Sequence, residues 1–147
     1  MTNEVIYTLI NRRSIKSYTD EIVDDDIIDE ICLAGTYAAT GKGAQSPVIV
    51  VVKNKEVRDE LSKMNADVLG MTKDPFYNAP VVLVVLADSK CHTYVEDGSL
   101  VLGNMMNAAY SLGVDSCWIH RAKDVFSSPR GQELLVEWGL STDYVGI

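Results

Sequence analysis

Three cations crowd five residues near the start of a chain that is otherwise acidic. Arg12, Arg13 and Lys16 surround Ser14, whereas the 147-residue sequence carries a net charge of -8. An arginine offers a fixed fork of donors that suits a phosphate monoester, and a lysine is a point charge for a second anionic centre. A solvated surface patch is the alternative, but this cluster follows a helical pattern, includes a hydroxyl donor and precedes a glycine-rich loop. We therefore predict a site for one phosphorylated ligand.

The other candidate residues do not form a recognisable catalytic group. The stretch from Gly35 to Gly43 has the wrong glycine spacing for the phosphate-binding loop of a nucleoside triphosphatase, and no Ser or Thr follows Lys42. Cys117 and His120 are three positions apart on a predicted strand, so their side chains would point to opposite faces and could not pair. The two histidines have no carboxylate at ligand spacing, and we therefore expect no metal site.

A long central helix organises the predicted elements around these residues. Residues Asp97 to Leu112 are apolar on every side of a helical wheel, and Gly113 is placed to end the helix in a left-handed conformation. This predicts a helix buried all round, with a second subunit covering one face. Further helices are predicted at Glu4–Asn11, from Asp24 to about Ala39, at Glu56–Met64 and at Pro129–Trp138, the last of these capped by Ser127. Strands are predicted at Val48–Val52, Val81–Ala87, Val114–His120 and from Tyr144. A small-residue loop is predicted at Thr40–Pro47 and an irregular segment at Asp67–Asn78.

Composition narrows the class of protein. With 47% hydrophobic residues in 147, the chain has the size and apolar content of one domain spanning residues 1–147. The negative charge repels nucleic acid and anionic lipid, so neither is an expected partner. No apolar stretch reaches the length of a membrane span, and three widely spaced cysteines without a C-x-x-C pair are typical of reduced thiols. We therefore expect a cytoplasmic protein.

At these residues the sequence resembles the nitroreductase family of FMN-dependent oxidoreductases. The family's R-R-S-I-R-x-Y motif is matched by residues 12–18, and its Q-S-P motif before the first strand by residues 45–47. Residues 97–119 match the family's buried helix, which has D-G, N-M, A-A and L-G pairs, and the S-C-W-I motif that follows it. Each motif is weak alone, but their order and spacing are specific, and the resemblance covers nearly the whole chain.

The resemblance implies a fold and an assembly. The fold is α+β, a nitroreductase-like three-layer sandwich with a central mixed sheet flanked by helices. The expected assembly is an obligate homodimer whose core is the central helix, with FMN at the subunit interface. The family usually continues beyond the position of Ile147 with a strand and a basic tail, and the strand predicted from Tyr144 corresponds to the start of that strand.

The resemblance also assigns site residues and a reaction. The positions matching Arg12, Arg13 and Ser14 bind the flavin phosphate and ribityl chain, and the one matching Lys16 lies by the pyrimidine edge of the ring. A loop contributes Lys42, Gly43 and Gln45, and the backbone of four further residues lines the ring near N5: Trp118, Ile119, His120 and Arg121.

Hydride would pass from NADH or NADPH through flavin N5 to a nitroaromatic, a quinone or a similar small acceptor, so no side chain need act as a nucleophile. Two alternatives remain open: a flavin-binding or storage protein without turnover, and a dimeric scaffold without a cofactor.

Overall fold

The computed structural model describes residues 3–147, in which six α-helices and three strands form the fold. The helices are α1 (Glu4–Asn11), α2 (Asp25–Thr36), α3 (Lys55–Leu69), α4 (Tyr94–Ser111), α5 (Ala122–Ser127) and α6 (Pro129–Glu137), and the strands are β1 (Val48–Val52), β2 (Val82–Asp88) and β3 (Tyr144–Gly146).

The three strands form one antiparallel sheet in the order β1-β2-β3. Val50 pairs with Val84, and Val145 pairs with Ala87 on the other edge of β2. Within the described residues, parallel pairing is confined to an isolated bridge between Ser14 and Ser116. The sheet itself is thus not the mixed sheet that was expected, because the parallel contact lies outside its three strands.

Helices pack on both faces of this sheet. Leu86 of β2 belongs to a cluster with Leu134 and Leu135 of α6, all three almost completely buried. Its neighbour Val85 belongs to a second cluster with residues of α2 and α4 such as Ile31 and Met105. Because successive side chains of a strand point to opposite faces, this alternation places α6 on one side of the sheet and α2 and α4 on the other.

The central helix α4 buries one face in this chain and leaves the other open. Val101, Met105 and Ala109 are buried, whereas Leu100 and Leu112 are 51% and 42% exposed. The helix starts three residues before the predicted Asp97. At its other end it stops as predicted, with Gly113 at φ 77. A helix apolar all round is therefore half-covered by its own chain.

The predicted strand Val114–His120 is absent from the structure. This segment is an extended connection between α4 and α5, and its ladder contact is the bridge at Ser116. The prediction was wrong because β1 and β3 pair with the two edges of β2, so residues 114–120 have no edge of that strand to join. As a result, the apolar residues of the segment line a cavity and do not join the sheet.

Other element boundaries were also misjudged. Helix α3 continues to Leu69, through the start of the segment predicted to be irregular, and Gly70 at φ 65 ends it. Helix α2 ends at Thr36, before the predicted Ala39, and its Leu33 is exposed although it was expected to face inward. Helix α5 was not predicted, and its presence moves the cap of α6 to Ser128, whose hydroxyl accepts from the Gly131 N–H at 3.1 Å.

Candidate functional site

The cationic cluster lies directly after α1, beside the connection that follows α4. Helix α1 ends at Asn11, and the backbone N–H of Arg12 caps it by donating to the Thr8 carbonyl. The Ile15 N–H then donates to the Ser116 carbonyl at 3.2 Å. The fold therefore brings the segment 12–16 beside the segment 116–121, two of the groups that the sequence predicted to share one site.

The three cations of the cluster differ in what they already bind. Nη1 of Arg12 is buried and has no hydrogen-bond partner among the described residues. Nη1 of Arg13 donates to the carbonyls of Ile10 and Arg12, at 2.8 and 2.9 Å, so this side chain is committed to the C-terminal end of α1. Lys16 is exposed. Arg12 is thus the residue of the cluster that has a buried donor without an acceptor. Because burying an unpaired polar group is unfavourable, this donor indicates a site for a ligand acceptor.

Tyr18 holds the far end of the cluster in place. Its hydroxyl donates to the Ile15 carbonyl at 2.6 Å. Burial, with smaller contributions from the neighbouring Cys117 and Asp115 groups, raises the pKa of Tyr18 to about 12. The phenol therefore stays protonated at physiological pH and keeps donating this hydrogen bond.

The loop at residues 40–45 adopts an unusual backbone anchored to α4. Lys42, Gly43 and Gln45 have φ values of 55°, 65° and 47°, and non-glycine residues seldom adopt this left-handed conformation. The Gly41 N–H donates to the carboxylate of Asp97 at 2.9 Å, and Asp97 is only 2% exposed. Strained backbone of this kind persists where the surrounding structure enforces it, and it is enriched at binding sites.

The connection at residues 117–121 presents a run of backbone donors. Among the described residues, no backbone carbonyl accepts from the N–H groups of these five residues. Arg121 adds a left-handed backbone at φ 83. Buried Asn65 of α3 contacts this turn with both ends of its carboxamide. Sequence analysis missed Asn65, although a polar residue four positions after buried Leu61 on the inner face of α3 was a signal.

The loop at residues 40–45 does not join the other predicted site residues within one chain. It is tied to Asp97 in the first turn of α4, whereas Ser14 and Ser116 lie beyond the other end of that helix. From Asp97 to Ser111 the helix axis covers about 21 Å at 1.5 Å per residue. No hydrogen bond in the described part of the chain connects the loop to the segments 12–16 or 116–121.

An apolar cavity of about 610 Å³ lies beneath the segment 116–119. Trp118 and Ile119 line it together with Tyr18 and residues of β2 and α4, but none of the cluster's cations and none of the residues 40–45 does. The cavity therefore supplies an apolar wall behind two of the predicted site residues, while Arg12, Arg13 and Lys16 lie outside it.

No hydrogen bond within the described chain joins a cysteine to a histidine. Cys117 Sγ contacts the Trp118 carbonyl at 3.7 Å, and the three cysteines are free. The argument that placed Cys117 and His120 on opposite faces of a strand was wrong, because the segment is not a strand. Among residues 3–147, no group of three His, Cys, Asp or Glu side chains could hold a metal ion, and no helix is long and apolar enough to cross a membrane.

Comparison with known proteins identifies the fold and shows a likeness to one family. Residues 9–71 match the profile of the Nitroreductase family. A nitroreductase from Bacteroides fragilis, whose crystal structure contains bound FMN, superposes with a TM-score of 0.90 over 99% of this chain and 84% of its own, at 26% identity. Residues 9–71 thus match the family in sequence, and the whole chain has the fold of a nitroreductase.

Two further proteins show the same likeness. A nitroreductase with bound FMN from Desulfitobacterium hafniense superposes with a TM-score of 0.89 at 25% identity, covering 99% of this chain and 86% of its own. An FMN reductase (NAD(P)H) from Bacillus subtilis is 30% identical over 76% of this chain and 52% of its own length. The chain spans 52 to 65% of the length of the curated relatives that it matches.

Proposed function

We propose that this chain belongs to the nitroreductase family, binds FMN and works as an NAD(P)H-dependent oxidoreductase that reduces a nitroaromatic, a quinone or a similar small acceptor. The observation that carries the proposal is the buried Arg12 Nη1, which has no acceptor among the described residues. A phosphate monoester satisfies such a donor and matches the geometry of the guanidinium. The FMN in the two structural relatives and the NAD(P)H in the name of the Bacillus subtilis relative support the choice of cofactor and electron donor.

The proposed flavin contacts divide into three groups. Arg12, Arg13 and Ser14 would hold the phosphate and ribityl chain, with Arg12 as the main phosphate ligand because Arg13 already donates to two carbonyls. Lys16 would lie by the pyrimidine edge, where its charge favours the anionic reduced ring. The free N–H groups of Trp118, Ile119, His120 and Arg121 would face the ring near N5.

Bound FMN would supply the hydride chemistry that connects NAD(P)H to the acceptor. The protein's part is to bind the cofactor, orient it and place charge beside it. No cysteine or histidine is needed as a nucleophile or base, in keeping with the isolated positions of Cys117 and His120.

We further propose that the site is completed by a second copy of the chain. Lys42, Gly43 and Gln45 are tied to the opposite end of α4 from Arg12, so in a dimer the partner's loop would approach the flavin held by this chain. The surface supports this proposal: five apolar side chains of α1 are 42 to 66% exposed, and Leu100 of α4 is 51% exposed. Exposed apolar area of this kind is typical of an interface between proteins.

The visible absorption spectrum and steady-state turnover test the proposed function. Freshly purified protein, or protein incubated with FMN and desalted, should show a flavin spectrum and should oxidise NADH or NADPH in the presence of a quinone. A flavin spectrum without steady turnover would support the alternative of a storage protein. Colourless protein that takes up no FMN would contradict the proposal and leave the scaffold alternative.

A further inference from the structure

Asn65 holds two successive residues of the connection at residues 117–121. Its side chain lies on α3 and is 4% exposed. The Nδ2 group donates to the His120 carbonyl at 3.1 Å, and Oδ1 accepts from Nε of Arg121 at 2.9 Å. A buried carboxamide with both of its ends occupied by one turn has no freedom to move independently of that turn.

The bond to the His120 carbonyl fixes the direction of the peptide between His120 and Arg121, and the bond from Arg121 Nε ties the same turn to α3 through a side chain. In a trans peptide the C=O and N–H groups point in opposite directions. Because the His120 carbonyl points at Asn65 on α3, the Arg121 N–H must point away from α3. Arg121 also has φ 83, and its carbonyl accepts from the Val125 N–H at 3.0 Å, so the same turn begins α5.

The direction of this peptide determines what a bound molecule would meet. No backbone carbonyl of the described chain accepts from the Arg121 N–H or from the four N–H groups before it. We propose that Asn65 is a positioning residue that orients these amides toward the flavin, an inference that rests on the proposed function. Asn65 is not expected to touch the flavin itself, because both of its polar ends are already bonded to the turn.

The proposed role predicts an effect on redox balance. The anionic reduced flavin carries more negative charge than the oxidised one, so N–H donors aimed at a carbonyl oxygen of the ring, such as the one next to N5, favour the reduced form. When Asn65 no longer holds the His120 carbonyl, the peptide can rotate and that preference falls. The affinity for reduced FMN should then drop more than the affinity for oxidised FMN.

Asn65→Asp is the sharpest variant. It keeps the size of the side chain and the acceptor for Arg121 Nε, but it has no amide to donate to the His120 carbonyl. Asn65→Ala, which adds no charge, is the second variant. Asn54→Ala is the matched control on the same helix, because it removes the α3 cap, in which Oδ1 accepts from the Val57 N–H at 3.0 Å, without touching the turn.

Two readouts distinguish positioning from a general loss of structure. Amide hydrogen exchange of flavin-free protein should speed up at the Val125 N–H, which donates to the Arg121 carbonyl of the turn, in both Asn65 variants and not in Asn54→Ala. Both variants should also lower the ratio of reduced to oxidised FMN affinity by about tenfold, a fall of about 30 mV in the two-electron potential. In Asn54→Ala the ratio should stay at the wild-type value.

The possible failures are distinguishable. If wild-type protein does not bind FMN, the proposed function is overturned and this inference falls with it. If wild-type protein binds FMN but the folded Asn65 variants keep its exchange rates and its affinity ratio, the proposed function survives and the positioning role is wrong.

Discussion

Asp74 anchors the loop between α3 and β2, and its replacement by alanine should destabilise the protein markedly. The carboxylate accepts from Arg58 Nη2 at 2.5 Å, from the Ser62 hydroxyl at 2.6 Å, and from the N–H groups of Phe76 and Asn78 at 3.0 and 2.8 Å. Arg58 is only 8% exposed, so Asp74→Ala leaves a nearly buried charge without its closest partner.

The structure sets the magnitude of this effect. Breaking a buried ion pair by removing one partner costs about 3 to 5 kcal/mol. Arg58 keeps Asp59 at 3.2 Å and the Ala79 carbonyl at 2.9 Å, which partly compensate. We therefore expect Asp74→Ala to lower the free energy of unfolding by about 2 to 4 kcal/mol. Asp74→Asn keeps the shape and one acceptor oxygen, and it should cost about half as much.

The same carboxylate predicts a pH dependence. Burial alone would raise the pKa of Asp74, but hydrogen bonds from Arg58, Ser62 and two backbone N–H groups outweigh it and lower the pKa to about 2 from 3.8. A lowered folded-state pKa means that stability is fully present above about pH 4 and is lost as the pH falls towards 2. Because the side chain is partly solvated, the loss should be about 1 to 2 kcal/mol.

Urea unfolding of wild type and both Asp74 variants, repeated at pH 7, 4 and 2.5, measures these effects. The wild type should lose stability between pH 4 and 2.5, and Asp74→Ala should lose less over that interval. If Asp74→Ala costs under 1 kcal/mol at pH 7, or if its pH dependence equals that of the wild type, the anchoring role is refuted.

Three further substitutions test the proposed site and assembly. Lys16→Ala should lower the reduction potential of bound FMN with only a small loss of oxidised FMN, since the anionic reduced ring loses a neighbouring charge; an unchanged potential in spectroelectrochemical titration would place Lys16 away from the ring. Cys117→Ser should keep its flavin and most of its turnover, and a loss of about 10³-fold in steady-state rate would instead show that the thiol is catalytic. Leu100→Asp should dissociate a dimer in sedimentation without unfolding it, because this side chain is 51% exposed in the single chain, whereas purely monomeric wild type at micromolar concentration would rule out the dimer.

Local signals in the sequence predicted several elements to the residue. Asn3 caps α1 by accepting from the Ile6 N–H, and the helix spans the predicted residues Glu4–Asn11. The β-branched run Val48–Val52 is β1 with the predicted bounds. The strand is not buried throughout as expected, because Val51 is 40% exposed. These elements depend on nearest neighbours and on burial, both of which can be read from one sequence.

Tertiary context decided the features that could not be predicted. The run Val114–His120 has the composition of a strand, but whether it joins a sheet depends on which segment pairs with the edge of β2, a long-range choice. The left-handed Lys42, Gln45 and Arg121 are not glycines, so only their anchors, Asp97 for the loop and Asn65 for the turn, explain their backbone.

The burial of α4 likewise could not be predicted in full from the sequence, because it depends on tertiary packing. Apolar residues on every side predicted a helix buried all round, whereas Leu100 and Leu112 are exposed in this chain. Which face the chain covers itself depends on the packing of α2 and β2, so the sequence could not reveal that Met105 lies in the chain's own core while Leu100 is exposed.

Titration of FMN and riboflavin into wild type and Arg12→Ala tests the central proposal, phosphate binding at the cationic cluster. A charge-assisted hydrogen bond contributes about 1.5 to 3 kcal/mol, so Arg12→Ala should weaken FMN binding roughly 10- to 150-fold. Riboflavin, which has no phosphate, should bind the wild type far more weakly than FMN and should be almost unaffected by the substitution. Equal affinities of the wild type for FMN and riboflavin would contradict the proposal and identify the cluster as a solvated surface patch.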